Sequence, residues 1–235
     1  EDPNSLEIFI IDNASTDNSP AVITELCKEQ KNISAIFLNT LQSFSFANNR
    51  GIEKAAGAYI LIMNPDIIFT EPVIQKLIQK LGAEKEIGAI SPALLGNDGK
   101  FQRNYFQRYP AIRQFVYFHS LAAKLFNKSA ALMNKFLENQ EIDVNTGKLY
   151  FTEQIPCAFF LTERTILDKT GLMDESFILF FEDVDLSYRL SKQYKLAVDT
   201  SLRVTHLGGT SFKSGDNWWM FGRFIASMVY FFEKH

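Results

Sequence analysis

The chain has 235 residues, of which 46% are hydrophobic and 22% charged. That is enough apolar material for one sizeable core and excludes general disorder. Its 24 Lys and Arg against 27 Asp and Glu leave a net charge of −3. This is the wrong sign for a protein that neutralises nucleic-acid phosphates, and no basic stripe interrupts the sequence. Cys27 and Cys157 lie far apart, without His or Cys at zinc spacing. They exclude a disulfide framework and a structural zinc site, and point to a reducing compartment. The opening Glu1-Asp2-Pro3-Asn4 shows no signal peptide, and the most apolar tract, residues 218–232, is too short to span a bilayer and carries Arg223.

In chain order, residues 6–11 (Leu-Glu-Ile-Phe-Ile-Ile) read as a buried strand running into the polar segment 12–18. A helix follows, with Ser19 as cap, Pro20 in its first turn and Val22, Ile23 and Leu26 on one face. Residues 33–38 form a second strand, 45–56 a helix closed by Gly57, and 58–63 a third, apolar strand that ends at Asn64-Pro65-Asp66. Thr70 and Pro72 start another helix that Gly82 stops. Residues 88–95 read as a strand and Asn97-Asp98-Gly99 as a turn.

From 100 to 154 the regularity fades, with one or two aromatic-rich helices expected within 111–137. Residues 155–162 are strand-like, 164–169 a short helix ended by Gly171, and 183–193 a helix with Val184, Leu186 and Leu190 inward. Residues 196–198 and 202–205 read as two short strands, the second followed by His206. The alternation argues for an α/β fold, a mostly parallel sheet with helices on both faces. Ligands of such sheets bind outside the carboxyl ends of the strands, which selects Asp12 and Asp66 as site candidates.

The segment 12–17 (Asp-Asn-Ala-Ser-Thr-Asp) offers carboxylates and amides to a base and ribose, or simply makes a capped turn. Asp66 at the mouth of the sheet suits a hard divalent ion that also takes phosphate oxygens, although Asn-Pro-Asp is also common turn chemistry. Glu182, Asp183 and Asp185 put three acids within four positions at a helix start after an aromatic stretch. The helix dipole explains one or two of them, and the terminus favours ionisation of a carboxylate serving as general base. His206 can coordinate a metal, contact phosphate, or be structural.

In their order and spacing these blocks resemble the inverting family 2 glycosyltransferases of the GT-A fold, in particular the rhamnosyltransferase-like branch. The matching stretches are 10–19 (Ile-Ile-Asp-Asn-Ala-Ser-Thr-Asp-Asn-Ser), 47–52 (Ala-Asn-Asn-Arg-Gly-Ile), 56–66, 171–177, 181–190 (Phe-Glu-Asp-Val-Asp-Leu-Ser-Tyr-Arg-Leu) and 204–206 (Val-Thr-His). The resemblance implies a GT-A-type sheet lacking the usual first strand, in one domain: a nucleotide-sugar-binding half (1–99), an acceptor and catalytic half (100–215) and a C-terminal helix (216–235).

It further implies that Asp12 contacts the base or ribose, that Asn13, Ala14 and Ser15 line that pocket, and that Asn49 helps to close it. Asn64 and Asp66 stand at the metal and diphosphate motif, with Asn64 in place of its first acid. Asp66 and His206 are the expected ligands of Mn or Mg. Asp183 is the expected base, supported by Glu182. The activity implied is transfer from a nucleotide-sugar donor to a glycan or lipid-linked acceptor in cell-surface polysaccharide synthesis, with no nucleic-acid partner, in the cytoplasm. A sugar nucleotidyltransferase and a non-catalytic carbohydrate-binding or scaffold domain are the alternatives. For residues 216–235 the alternatives are core packing, a homodimer, and peripheral contact with the inner face of the plasma membrane.

Overall fold

The computed structural model describes residues 5–105, 108–110, 142–208 and 217–235; the helices expected within 111–137 lie outside these. The elements are β1 (Ile8–Asp12), α1 (Ser19–Glu29), β2 (Ile33–Phe37), α2 (Phe44–Lys54), β3 (Tyr59–Met63), β4 (Ile67–Phe69), α3 (Ile74–Ala83) and β5 (Ile87–Leu95). Then follow β6 (Leu149–Thr152), β7 (Phe159–Glu163), α4 (Arg164–Thr170), α5 (Glu182–Ser191), β8 (Lys195–His206) and α6 (Asn217–Lys234).

The α/β architecture matches the expectation, but the sheet is mixed rather than mostly parallel. Its order is β3-β7-β5-β8-β4, with β6 also on β8. Only β5 and β8 run parallel in it, while β3, β5, β4 and β6 each meet their other partner antiparallel. Strand–helix alternation implies parallel neighbours only where each helix is a crossover between adjacent strands. Here β7 comes between β3 and β5 and reverses direction. β4 and β6, with three and four residues, are too short to carry a period-2 signal. The two short strands expected over 196–205 are one strand, whose register on β5 shifts between Pro92 and Ala93.

The sheet separates two apolar layers, as the strand period requires. Phe159 and Leu161 of β7 face Leu77 and Leu81 of α3 together with Ile90 and Leu94. Phe160, between them in sequence, joins Ile52 of α2 and Leu186 and Leu190 of α5 on the other side. Burial of side chains of this size contributes about 1.5–3 kcal/mol each.

β1 and β2 form a separate parallel pair. β1 and β3 pair with no further strand among the described residues. α2 lies beneath both: its Gly51 sits so near β1 that a Cβ would come within 2.9 Å of Ile11 Cδ1, and its Ile52 packs with Ile60 and Ile62 of β3. The Glu7 carboxylate accepts from the backbone N–H of Ala56 and Gly57 at 2.5 and 2.6 Å, holding the starts of β1 and β3 side by side. The space between the two strands belongs to a cavity of 2430 Å³ that continues to the ends of β3 and β8 and the start of α5.

α2 is positioned at both ends. Ser43 Oγ accepts from Phe46 N–H at its start, the capping interaction that satisfies an otherwise free amide. At its other end the Arg164 guanidinium donates to the carbonyls of Ile52, Ala55 and Gly57, in place of the glycine closure expected from the sequence. Arg164→Leu should cost roughly 2–4 kcal/mol, because charge-assisted bonds to partly buried carbonyls are lost together; a urea midpoint unchanged from the parent would contradict this role for Arg164.

Candidate active site

The antiparallel pairing of β4 with the end of β8 sets Ile67 opposite His206 and so brings Asp66 and Asn64 to the same place as that histidine. Leu207 N–H donates to the Asp66 carbonyl at 3.1 Å and Gly208 N–H to Asp66 Oδ2 at 2.9 Å. The second oxygen, Oδ1, is buried without a hydrogen-bond partner and lies 3.4 Å from His206 Nε2. The Asn64 amide nitrogen is also 3.4 Å from Nε2. His206 is 2% exposed. Burial holds its pKa below the usual value, opposed by the Asp66 charge.

Among the described residues no group of three or more His, Cys, Asp and Glu could hold a metal ion. Asp66 and His206 would hold a divalent ion only as a two-residue site, with its other ligands coming from substrate and water. The orphaned Oδ1, facing a ring nitrogen across 3.4 Å, is the feature such an ion would satisfy.

At the start of α5, Phe180 and Phe181 both have φ of +67°. Left-handed backbone at residues with a Cβ costs about 1–2 kcal/mol each. It is held by packing: Phe181 is buried against Phe224 and Phe231 of α6, and Ser227 Oγ donates to the Leu179 carbonyl at 2.8 Å. The resulting turn places Glu182 and Asp183 on the cavity wall. Asp183 Oδ1 accepts from Val184 N–H at 2.9 Å, whereas Glu182 Oε2 has no partner.

The helix terminus was expected to favour ionisation here, and burial outweighs it. The Asp183 pKa is raised by burial against three backbone hydrogen bonds that lower it. Glu182 is pushed up to about 8 by burial and by the adjacent Asp183 charge. The Asp183 charge raises Glu182 and no Glu182 charge acts on Asp183, so Asp183 carries the charge of the pair and Glu182 is held protonated. The third acid plays a different part. Asp185, fully buried, binds Arg189 Nε at 2.9 Å, Lys234 Nζ at 2.6 Å and His235 Nε2 at 2.8 Å, tying α6 onto α5.

At the end of β1, Asp12 is buried and its Oδ2 accepts from Ser15 N–H at 3.2 Å. Asp12, Asn13 and Ser15 line the cavity; Ala14, with φ of +60°, shapes the turn without lining it. The Asn13 amide is occupied by the Gln42 backbone, donating to its carbonyl at 2.9 Å and accepting its N–H at 2.8 Å. Asn49 corrects the reading from sequence: it is absent from the cavity wall. It staples α2 to the loop after α4, donating to Met173 O and Glu175 Oε1 and accepting from Met173 N–H. Pairing partners more than a hundred positions away left no local signal of that role.

Asp12, Asn64, Asp66, Glu182, Asp183 and His206 thus all line the same cavity. Sequence reasoning missed Tyr105, which also lines it. Its ring meets His206 edge-on at 5.2 Å, and burial raises its pKa with further contributions from the charges of Asp66 and Asp183. It stands in the field of both acids. The C-terminal helix serves core and surface together: Met228 and Phe231 are buried with Phe177 and Phe181, while Trp218 and Trp219 remain 81% and 52% exposed. No helix of the described residues is long and apolar enough to cross a membrane.

Over 207 residues, 82% of this chain and 63% of the relative, the sequence is 23% identical to an N-acetylglucosaminyl-diphospho-decaprenol L-rhamnosyltransferase of Mycobacterium tuberculosis. Over 72 residues, 31% of this chain and 29% of the relative, it is 32% identical to an uncharacterized glycosyltransferase of Haemophilus influenzae. The chain therefore spans less than two thirds of the length of either. The crystal structure of GalNAc-T7 with UDP, GalNAc and Mn2+ shares the fold, with a TM-score of 0.61 at 15% identity, over 86% of this chain and 38% of that one. Residues 2–155 match the profile of glycosyl transferase family 2, and the chain belongs to that family, with its GT-A fold.

Proposed function

We propose that this chain is the donor-binding and catalytic part of an inverting glycosyltransferase. It moves a hexose, in the manner of the rhamnosyltransferase-like branch, from a nucleotide-sugar donor to a hydroxyl of a glycan or lipid-linked acceptor in cell-surface polysaccharide synthesis. The observation that carries this reading is that Asp12, Asp66, His206 and Asp183 line one cavity that reaches the strand ends.

Asp12 and Ser15, on the turn after β1, take the nucleoside end of the donor. Its diphosphate then reaches the ends of β3 and β8, where Asp66 already contributes negative charge. A divalent ion, manganese or magnesium, would be held there by Asp66 and His206 and would neutralise charge on the departing diphosphate. Asn64, in place of an acid, offers an amide donor to a phosphate oxygen. The acceptor enters from the side of α5 and α6, where Phe180, Trp219 and Phe224 line the cavity. The exposed aromatic residues of α6 supply apolar contact toward a lipid-linked acceptor at the cytoplasmic face of a membrane.

Asp183 accepts the proton of the acceptor hydroxyl as its oxygen bonds to the anomeric carbon from the face opposite the nucleoside diphosphate. The carbon–diphosphate bond breaks, and the configuration inverts. One base suffices, and Asp183 is the acid that ionises first. Glu182, held protonated beside it, keeps a second negative charge out of the pocket.

Asp183→Asn should lower turnover by about 10²–10⁴-fold while nucleotide affinity, measured by calorimetry, stays within about threefold. Equal turnover would reject the assigned role. The rate should rise with pH as Asp183 ionises and change again near 8 as Glu182 follows. Glu182→Gln should remove only the second step. A raised carboxylate pKa means the folded chain holds that proton more tightly than the unfolded one. Stability is therefore lost as pH rises from the ordinary glutamate value toward 8. Glu182→Gln should accordingly stabilise the protein at pH 8, by about 1–3 kcal/mol, and leave it nearly unchanged at pH 4. A stability gain equal at both pH values would contradict the buried, protonated state of Glu182.

A further inference from the structure

The chain after β5 folds back on itself. Gly99, at φ +73°, closes the turn with its N–H on the Gly96 carbonyl, and Gly96 N–H donates to the Lys100 carbonyl at 2.8 Å. Gln102 is thereby laid beside the end of β8, its own N–H on the Leu94 carbonyl at 2.9 Å. Its side chain meets His206 twice. Gln102 Nε2 donates to the His206 carbonyl at 2.9 Å, and Gln102 Oε1 lies 2.8 Å from His206 Nδ1.

Hydrogen-bond chemistry fixes every proton in this pair. A backbone carbonyl only accepts, so the end of the amide that faces it must be the NH2 group. The other end is then the amide oxygen, which also only accepts, so Nδ1 must carry a hydrogen. Turning the amide over would place oxygen against oxygen at 2.9 Å and leave that contact without a proton. The Asn64 amide nitrogen, which only donates, lies 3.4 Å from Nε2, so Nε2 presents its lone pair. That lone pair faces Asp66 Oδ1 across 3.4 Å, and Oδ1 has no hydrogen-bond partner. The ring therefore puts no proton between Nε2 and Oδ1, and a cation there would take the place of the Asn64 amide that now donates to Nε2 at 3.4 Å.

We infer that Gln102 is a positioning residue: it locks His206 in the Nδ1–H form and so aims the Nε2 lone pair and Asp66 Oδ1 at a common divalent cation. The inference rests on the cation site proposed above and goes beyond it, because Gln102 itself touches neither cation nor substrate. It is held by the backbone of β5 and acts only through the ring. Partners of this kind on the far nitrogen of a metal-binding histidine commonly change metal affinity by about 10–100-fold when removed.

The test combines two readouts on the same protein. Long-range 1H–15N correlation spectra report the tautomer of each of the three histidines, His119, His206 and His235, assigned by substituting the other two one at a time. Calorimetry with Mn2+ in the presence of UDP reports the cation affinity. The parent should show His206 as Nδ1–H. Gln102→Leu should move it toward Nε2–H and weaken Mn2+ binding by about 10–100-fold. Gln102→Glu, which keeps an acceptor opposite Nδ1 but loses the donor to the His206 carbonyl, should hold the Nδ1–H form and bind Mn2+ more tightly than Gln102→Leu does.

An unaltered His235 resonance, set by its contact with Asp185, shows that the fold survives in each variant. Should Gln102→Leu fail to fold, Gln102→Asn, which cannot span both contacts, carries the same expectation. Retention of Nδ1–H and of parental Mn2+ affinity in Gln102→Leu would overturn the inference. A tautomer change in a protein that binds no Mn2+ would uphold the action of Gln102 on the ring and reject the cation reading of the site, so the two failures are distinguishable.

Discussion

The pairing of three residues of β4 with the last three of β8 is the constraint on which the site depends. It brings Asn64 within 3.4 Å of a histidine 142 positions later and presents two backbone N–H groups, from Leu207 and Gly208, to Asp66. One carboxylate oxygen is satisfied by that backbone and the other is left facing a ring nitrogen. Everything else in the region supports this juncture. β5 supplies the parallel neighbour that fixes the course of β8, and the turn after β5 delivers Gln102 and Tyr105 onto the histidine ring.

A second device positions the remaining acids. Glu182 and Asp183 follow two phenylalanines in left-handed backbone, a conformation that persists only because α6 packs over it. Met228, Phe231 and Ser227 hold the turn from above. Asp174 and Asp185 draw Lys234 into ion pairs at 2.7 and 2.6 Å; burial opposes ionisation of Asp174, and its bonds with Lys234, Ser176 and Tyr230 win, holding its pKa well below the usual range. The C-terminal helix thus contributes to the geometry of the loop that leads into Glu182 and Asp183 as well as to the core.

How far this was legible from sequence depended on how local each signal is. The apolar runs of β1, β3 and β5, the Asn97-Asp98-Gly99 turn and the Gly171 stop after α4 announce themselves within a few residues. The acids and the histidine could be marked because strand ends are where α/β folds place ligands. Strand direction could not be read, because β7 arrives from a distant part of the chain and β4 and β6 are too short to show alternation. Nor could composition separate Asp183 from Asp185: both begin the same helix, and only the positions of Lys234, Arg189 and His235 make one a structural anchor and the other a cavity wall. Asn49 resembled a pocket residue and is a staple to Met173. Gln102 sits in an unremarkable polar stretch, and its meaning appears only once His206 is beside it.

The central claim is convergence: a single divalent cation, bound with a nucleoside diphosphate, should lie close to Asp66 and His206 and within sight of Asp183. Paramagnetic broadening by substoichiometric Mn2+ with UDP, read on backbone amide resonances, tests it most directly. The account predicts selective loss of signals from residues 66–67, 183–184 and 206–208, with those of α1 and α3 retained. Broadening centred elsewhere, or sparing the start of α5 while affecting the end of β8, would contradict it.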